Sequence, residues 1–166
     1  MKSHVGPSGL LGRQKASGGI FDAPKIRTYP RNPHLDTHTK YGIFMTGSIG
    51  LKRLDFVGSS REDLRKFPEK VRQDIGYALF EVQRGSKPTS AKPLKGFGGA
   101  GVLEIIENLS GDTYRAVYTV KFEKVVYVLH CFQKKSKHGI KTPKQDLDLI
   151  KRRLKAAEED YRVNYE

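Results

Sequence analysis

The chain has a single cysteine among its 166 residues. Cys131 lies inside an apolar run and has no internal partner for a disulfide, which fits a reducing compartment. No Cys/His/Asn pattern surrounds it, so it reads as a buried structural thiol and not as a nucleophile. Long apolar runs are missing too. None approaches the about 18 residues of a membrane span, and the N-terminus lacks the continuous apolar core of a signal peptide. A cytoplasmic protein with no membrane partner is expected. His4, His34 and His38 stand without ligand spacing, so neither a metal nor a cofactor is expected. Acidic residues are scarce: 18 Asp and Glu face 31 Lys and Arg, a formal charge of +13. Such an excess points to a polyanionic partner, most commonly nucleic acid.

Two unlike parts share the chain. Residues 1–44 hold ten Gly and Pro, scatter their apolar residues without a period of 2 or 3.6, and set seven Lys/Arg against two Asp, a net +5. That composition buries too little apolar surface to offset chain entropy. A disordered basic extension over 1–44 is therefore expected, with one ordered domain over 45–166. Met45 stands just before the ordered pattern and is a candidate natural start of translation.

From Leu51 the pattern tightens. Leu51, Leu54, Phe56 and Val57 suggest a first strand. Ser59-Ser-Arg-Glu62 has the form of a capping box for a short helix, which stops before Phe67-Pro68. Pro68 suits the first turn of a second helix, in which Val71, Ile75, Leu79 and Val82 make one apolar stripe. Residues 84–101 read as a long Gly/Lys/Pro loop. It is not a phosphate-binding P-loop, because no Gly-Lys-Ser/Thr end follows, but Lys92 and Lys95 can reach a phosphate backbone from it. Three strands come next. Val102–Glu107 leads into a turn at Ser110-Gly111-Asp112, then Tyr114–Lys121 and Val125–Phe132 follow, rich in β-branched and aromatic residues. Their short connections imply an antiparallel meander. Thr142-Pro-Lys-Gln145 has the form of a second capping box. Leu147, Ile150, Leu154, Ala157 and Tyr161 form the buried stripe of the last helix, with Lys151, Arg152, Arg153 and Lys155 on its exposed side. The order β-α-α-β-β-β-α makes an α+β fold with helices packed on one sheet.

The last strand empties into Lys134, Lys135, Lys137, His138, Lys141 and Lys144. Cations at the end of a stiff sheet are held at fixed places, as gripping a phosphodiester requires. His130 alternates with Val126 and Val128 and reads as a core histidine.

An ordered series of segments resembles the phage-derived branch of the RelE/HigB toxins. It runs through Phe56-Val-Gly-Ser-Ser60, Asp63-Leu-Arg-Lys-Phe-Pro68, Gly76-Tyr77 and Val82-Gln-Arg-Gly85, and ends in Tyr127-Val-Leu-His-Cys-Phe-Gln-Lys-Lys135 with Lys141-Thr-Pro143. The resemblance spans about residues 51–156 and implies the same small RelE-like sheet with flanking helices. It implies the toxin of a type II toxin–antitoxin pair, partnered by a helix-turn-helix antitoxin. Many members are ribosome-dependent endoribonucleases that cut mRNA; the ParE branch of the superfamily inhibits DNA gyrase and cuts no RNA. A third reading is an RNA-binding relative without catalysis. Carried over position by position, Tyr114-Arg115 matches the family's strand arginine, Leu94-Lys95-Gly96 its Leu-basic-Gly piece, and Lys134 and Lys135 its basic group after the last strand. Lys137, His138 or Lys141 matches a further polar position. The two lysines that the RelE branch carries on the first meander strand are replaced by Leu103-Glu-Ile-Ile106, which leaves the general base unassigned.

RNA cleavage of this kind uses the ribose 2′-OH as nucleophile on the adjacent phosphate and leaves a 2′,3′-cyclic phosphate and a free 5′-OH. It needs a base, a cation for the phosphorane, and an acid for the leaving oxygen, but no metal. Arg115 suits the charge, because its rigid fork matches two phosphate oxygens. Crowded lysines disfavour one another's charge, which suits one of Lys134, Lys135 and Lys137 to proton transfer. A histidine titrates near neutrality, so His138 is the other candidate. Lys92, Lys95, Lys137, Lys141 and Lys144 are the expected phosphate contacts. Arg115 also has a purely structural reading, an ion pair with Glu104 or Glu107 on the neighbouring strand.

Overall fold

The structure is a computed structural model that describes residues 50–134 and 142–166, together with the two-residue strand Ile26–Arg27. That strand, β1, pairs antiparallel with β2 (Arg53–Val57) at one sheet edge. Helices α1 (Ser60–Arg65) and α2 (Glu69–Gln83) follow, then strands β3 (Ala91–Pro93), β4 (Val102–Leu109), β5 (Asp112–Thr119) and β6 (Val125–Lys134), and finally helix α3 (Lys144–Tyr165). The class is α+β, as the pattern implies, and the three strands β4, β5 and β6 form the expected antiparallel meander.

The sheet is mixed. Its order is β1-β2-β6-β5-β4-β3, and β2 runs parallel to β6, with Arg53 opposite Val125 and Phe56 opposite Val128. Two elements exceed the expectation. Ile26–Arg27 adds a strand beside β2, and the stretch read as a loop over 84–101 contains β3, which pairs with β4. Ala91 explains this second case. It buries its side chain in the core, and one buried anchor is enough to lay three residues along the neighbouring strand.

Alternation along the strands divides the core into two layers. On one face, Val71, Ile75, Leu79 and Val82 of α2 pack on Ile105, Tyr114, Ala116, Tyr118, Val126 and Val128. The predicted stripe of α2 is thus fully inside, and burial of a side chain such as Ile75 contributes about 1.5–3 kcal/mol. On the other face, Ile150, Leu154, Ala157 and Tyr161 of α3 pack on Val117, Val125, Tyr127 and Leu129. Tyr127 donates its hydroxyl to Asp160 Oδ2 at 2.6 Å, tying the sheet centre to the end of that helix.

The alternation breaks once. Val117 lies opposite His130, but Tyr118 lies opposite Val128, so Leu129 is an extra residue in β6. Such a bulge shifts every following side chain to the other face. Leu129 therefore packs under α3 while Cys131 joins the α2 layer. His130 is buried as expected, at 7 % exposure, but it faces α3 and not the Val126/Val128 side.

Neither expected hydroxyl cap forms, and α3 starts one residue later than expected, at Pro143 and not at Thr142. Ser59 and Pro143 are the residues at the helix starts, and neither makes a side-chain cap hydrogen bond. Both hydroxyls have other partners. Ser59 Oγ donates to Asp63 Oδ2 at 2.7 Å and accepts from Arg153 Nη2 at 2.7 Å, while Thr142 Oγ1 accepts from Arg115 Nη1 at 3.4 Å.

Candidate functional site

β3, β4, β5 and the start of α3 surround a cavity of about 460 Å³. It lies on the α3 face of the sheet, beyond the N-terminal end of that helix. Its floor is made by Glu104 and Arg115, its apolar wall by Leu94, Ile106 and Leu147, and its rim by Lys92, Lys95 and Thr142. The strand register explains the convergence. Lys92 is directly opposite Glu104, and Arg115 is directly opposite Ile106, so the charges of three strands share one face. The left-handed backbone at Gly96 (φ 90°) turns the chain after Lys95 at the rim.

Arg115 Nη1 donates to Glu104 Oε2 at 2.6 Å. Both side chains are about nine-tenths buried, at 8 % and 10 % exposure. The ion pair that the sequence allowed thus exists, and it is with Glu104. Glu107 lies opposite Tyr114, whose side chain is in the α2 layer. Beside the pair, Arg115 Nε is buried and has no hydrogen-bond partner among the described residues. A buried orphan donor costs about 1–3 kcal/mol.

The expected site residues fall into three groups. Lys92, Lys95 and Arg115 are brought together by the cavity. Lys134 and Lys144 are not part of its lining. Lys134 ends β6 opposite Thr113, two positions along from the Phe132–Arg115 pair and on the same face. Lys144 opens α3 and is exposed. Lys135, Lys137, His138 and Lys141 lie outside the described residues. Glu104 is the functional candidate that the sequence reading passed over. Its signal was a lone carboxylate in the apolar run Val102-Leu-Glu-Ile-Ile106, two positions out of register from Arg115.

A second polar cluster lies under α3. Arg153 was expected on the exposed side of this helix, yet it is only 5 % exposed. Its Nη1 donates to the carbonyl of Leu129 at 2.8 Å and lies 3.4 Å from His130 Nδ1. That carbonyl belongs to the extra residue of the β6 bulge. On its other side, His130 Nε2 is 3.2 Å from Asp146 Oδ1. Burial holds His130 below its ordinary value, opposed by the hydrogen bond it donates to Asp146. Burial also lowers Arg153, against the attraction of Asp63. For Asp63 burial acts upward, but the hydrogen bonds from Ser59 and Lys66 prevail and keep its carboxyl below the usual range. Burial pushes the Cys131 thiol far up, in keeping with an inert structural residue. This cluster joins α1, β6 and α3, and it orders the helix that carries one wall of the cavity.

Among the described residues, no three His, Cys, Asp or Glu side chains come together as a metal site, and no helix is long and apolar enough to cross a membrane. Comparison with curated proteins and with solved structures produced no match. Comparison with protein families matches residues 62–155, from α1 into α3, to the description Phage derived protein Gp49-like (DUF891). The match takes in β3, the meander and therefore the whole floor of the cavity, over more than half of the 166 residues. The chain belongs to the Gp49-like family, a phage-derived and toxin-like group.

Proposed function

We propose that the protein is the toxin of a type II toxin–antitoxin pair and acts as a ribosome-dependent mRNA endonuclease. The observation that carries this reading is the cavity itself, which gathers Lys92, Lys95 and Arg115 around one groove in a chain of net charge +13. The membership of a toxin-like family supports the toxin role and an antitoxin partner. A helix-turn-helix protein is the proposed antitoxin, and the translating ribosome with its mRNA is the proposed target.

The chemistry follows the metal-free route through the ribose 2′-OH. Arg115 is already paired with a carboxylate, so its role is to hold and orient RNA through its remaining N–H groups. The two exposed rim lysines then meet the phosphate and its developing charge. Lys134, Lys135 and His138 are the proposed proton-transfer groups, and Lys137, Lys141 and Lys144 extend the phosphate-binding surface. A second reading, a toxin that inhibits DNA gyrase without cutting RNA, draws on the same Glu104–Arg115 pair, because neutralising the arginine weakens it as a catalyst.

The test is induction in bacteria with mapping of transcript 5′ ends. Cuts in translated regions, phased with codons, are the expected result. Growth arrest with intact transcripts and broken DNA refutes the nuclease in favour of gyrase inhibition.

A further inference from the structure

We infer that the cavity is a pocket for one unpaired guanine base, read by the Glu104–Arg115 pair. This rests on the reading of the cavity as an RNA site and names what enters it. Three observations point there. The volume, about 460 Å³, is that of a small-ligand pocket and not of a phosphate notch. The wall is aliphatic, with Leu94, Ile106 and Leu147 offering flat apolar contact to a planar ring. The floor presents an acceptor and a donor side by side at 2.6 Å, both nearly buried.

The donor and acceptor order selects the base. Glu104 gives only Oε2 to Arg115, and its carboxylate keeps acceptor capacity for two N–H groups. Among the described residues Arg115 uses only Nη1, on Glu104 and Thr142, which leaves its Nη2 N–H groups for an acceptor on the ligand. The complement of that floor is an edge with two adjacent donors and one acceptor. Guanine has this edge in N1–H, the 2-amino group and O6. Adenine and cytosine each offer one amino donor beside an acceptor ring nitrogen, and uracil offers a single N–H between two carbonyls. A carboxylate left facing a ring nitrogen or a second carbonyl is penalised, because the buried group loses its partner. Lys92 stands at the rim, where the phosphate of a nucleotide seated base-inward emerges.

The experiment titrates the purified full chain with GMP, AMP, CMP and UMP, and with inorganic phosphate, and follows binding by NMR. GMP is expected to bind about tenfold or more tighter than the other three, the discrimination that a two-bond base contact supplies. Glu104→Gln should level the four nucleotides. Because that change also unpairs a buried arginine, Leu147→Trp serves as a second variant. It fills the cavity from its apolar wall and leaves both residues of the pair in the sequence, and it should abolish GMP binding in a protein that still unfolds cooperatively. Equal binding of all four nucleotides overturns the inference, as does displacement of GMP by phosphate at equal concentration, or full GMP binding by Leu147→Trp. Transcript cuts by a chain that ignores GMP refute this pocket alone. GMP selectivity in a chain that makes no cuts supports the pocket and refutes the nuclease.

Discussion

Arg153 and Gly58 form a two-residue device whose energetics can be worked out from its geometry. Arg153 is 5 % exposed and donates to the Leu129 carbonyl at 2.8 Å and to Ser59 Oγ at 2.7 Å. Arg153→Ala removes both bonds, leaves a buried carbonyl unsatisfied and opens a void beneath α3. Loss of a buried, hydrogen-bonded charged side chain costs about 3–5 kcal/mol. For a domain of this size, that lowers Tm by about 12–20 °C. Gly58 sits over the guanidinium with φ at 62°, and a Cβ there would meet Arg153 Nε and Nη2 at 3.1 Å. Gly58→Ala thus carries two penalties, the left-handed backbone at about 1–2 kcal/mol and the displacement of the guanidinium. Only the first survives when Arg153 is already alanine. In a double-mutant cycle, Gly58→Ala should cost about 1 kcal/mol less in the Arg153→Ala background than in the parent. Thermal melts and urea titrations of the four proteins supply the numbers. Two results refute the reasoning: a drop below about 3 °C for Arg153→Ala, or costs that add within about 0.3 kcal/mol.

Other consequences follow from the same geometry. His130 faces Asp146 and Arg153 of α3, with Asp63 and Ser59 of α1 beyond the guanidinium. Burial lowers its folded value below the ordinary about 6.5, so the unfolded chain takes up the proton first. The stability that neutral His130 provides is complete above about pH 6.5 and is lost as the pH falls from there toward the folded value; His130→Gln should flatten the melting temperature over that window. Tyr127→Phe removes the hydroxyl bonded to Asp160 at 2.6 Å and should cost about 1–2 kcal/mol by chemical denaturation. Arg115→Lys keeps a cation beside Glu104 but loses the fork, so growth assays should show a folded protein without toxicity, and full toxicity would reject the role given to Arg115. Lys92→Glu combined with Lys95→Glu should weaken single-stranded RNA binding and reduce the salt slope by about 1.4, two phosphate contacts at about 0.7 each.

The sequence shows most clearly what periodicity controls. The α2 stripe from Val71 to Val82 and the α3 stripe through Ile150, Leu154, Ala157 and Tyr161 are buried where the spacing puts them. Arg115 and the rim lysines were legible as charges in a β-rich basic domain, although their meeting in one cavity depends on cross-strand register. What escaped depends on long-range competition. The hydroxyls of Ser59 and Thr142 have the spacing of caps, but each meets an arginine from a distant segment, Ser59 at 2.7 Å and Thr142 at 3.4 Å. Arg153 looks like one more cation on a solvated helix face until the carbonyl of the bulged residue Leu129 accepts from it. The same bulge turns His130, and no local pattern announces one extra residue in a strand. Glu104 was legible only as one of two candidate partners for Arg115, and the register, which sets Glu107 opposite Tyr114, decides between them.

The parallel pairing of β2 with β6 has a consequence for synthesis. Lys52 reaches the carbonyl of Phe122 across 70 positions of chain, and β2 takes its place in the sheet only beside the last strand of the meander. Contacts of that separation close late, because loop entropy must be overcome before they stabilise anything. While the chain is being made, β2 has no β6 to join and the meander has an open edge. The cavity is later still, since Thr142 and Leu147 come after β6. A nascent chain therefore has no assembled cavity until Leu147 has emerged, after all the strands that line it have been made.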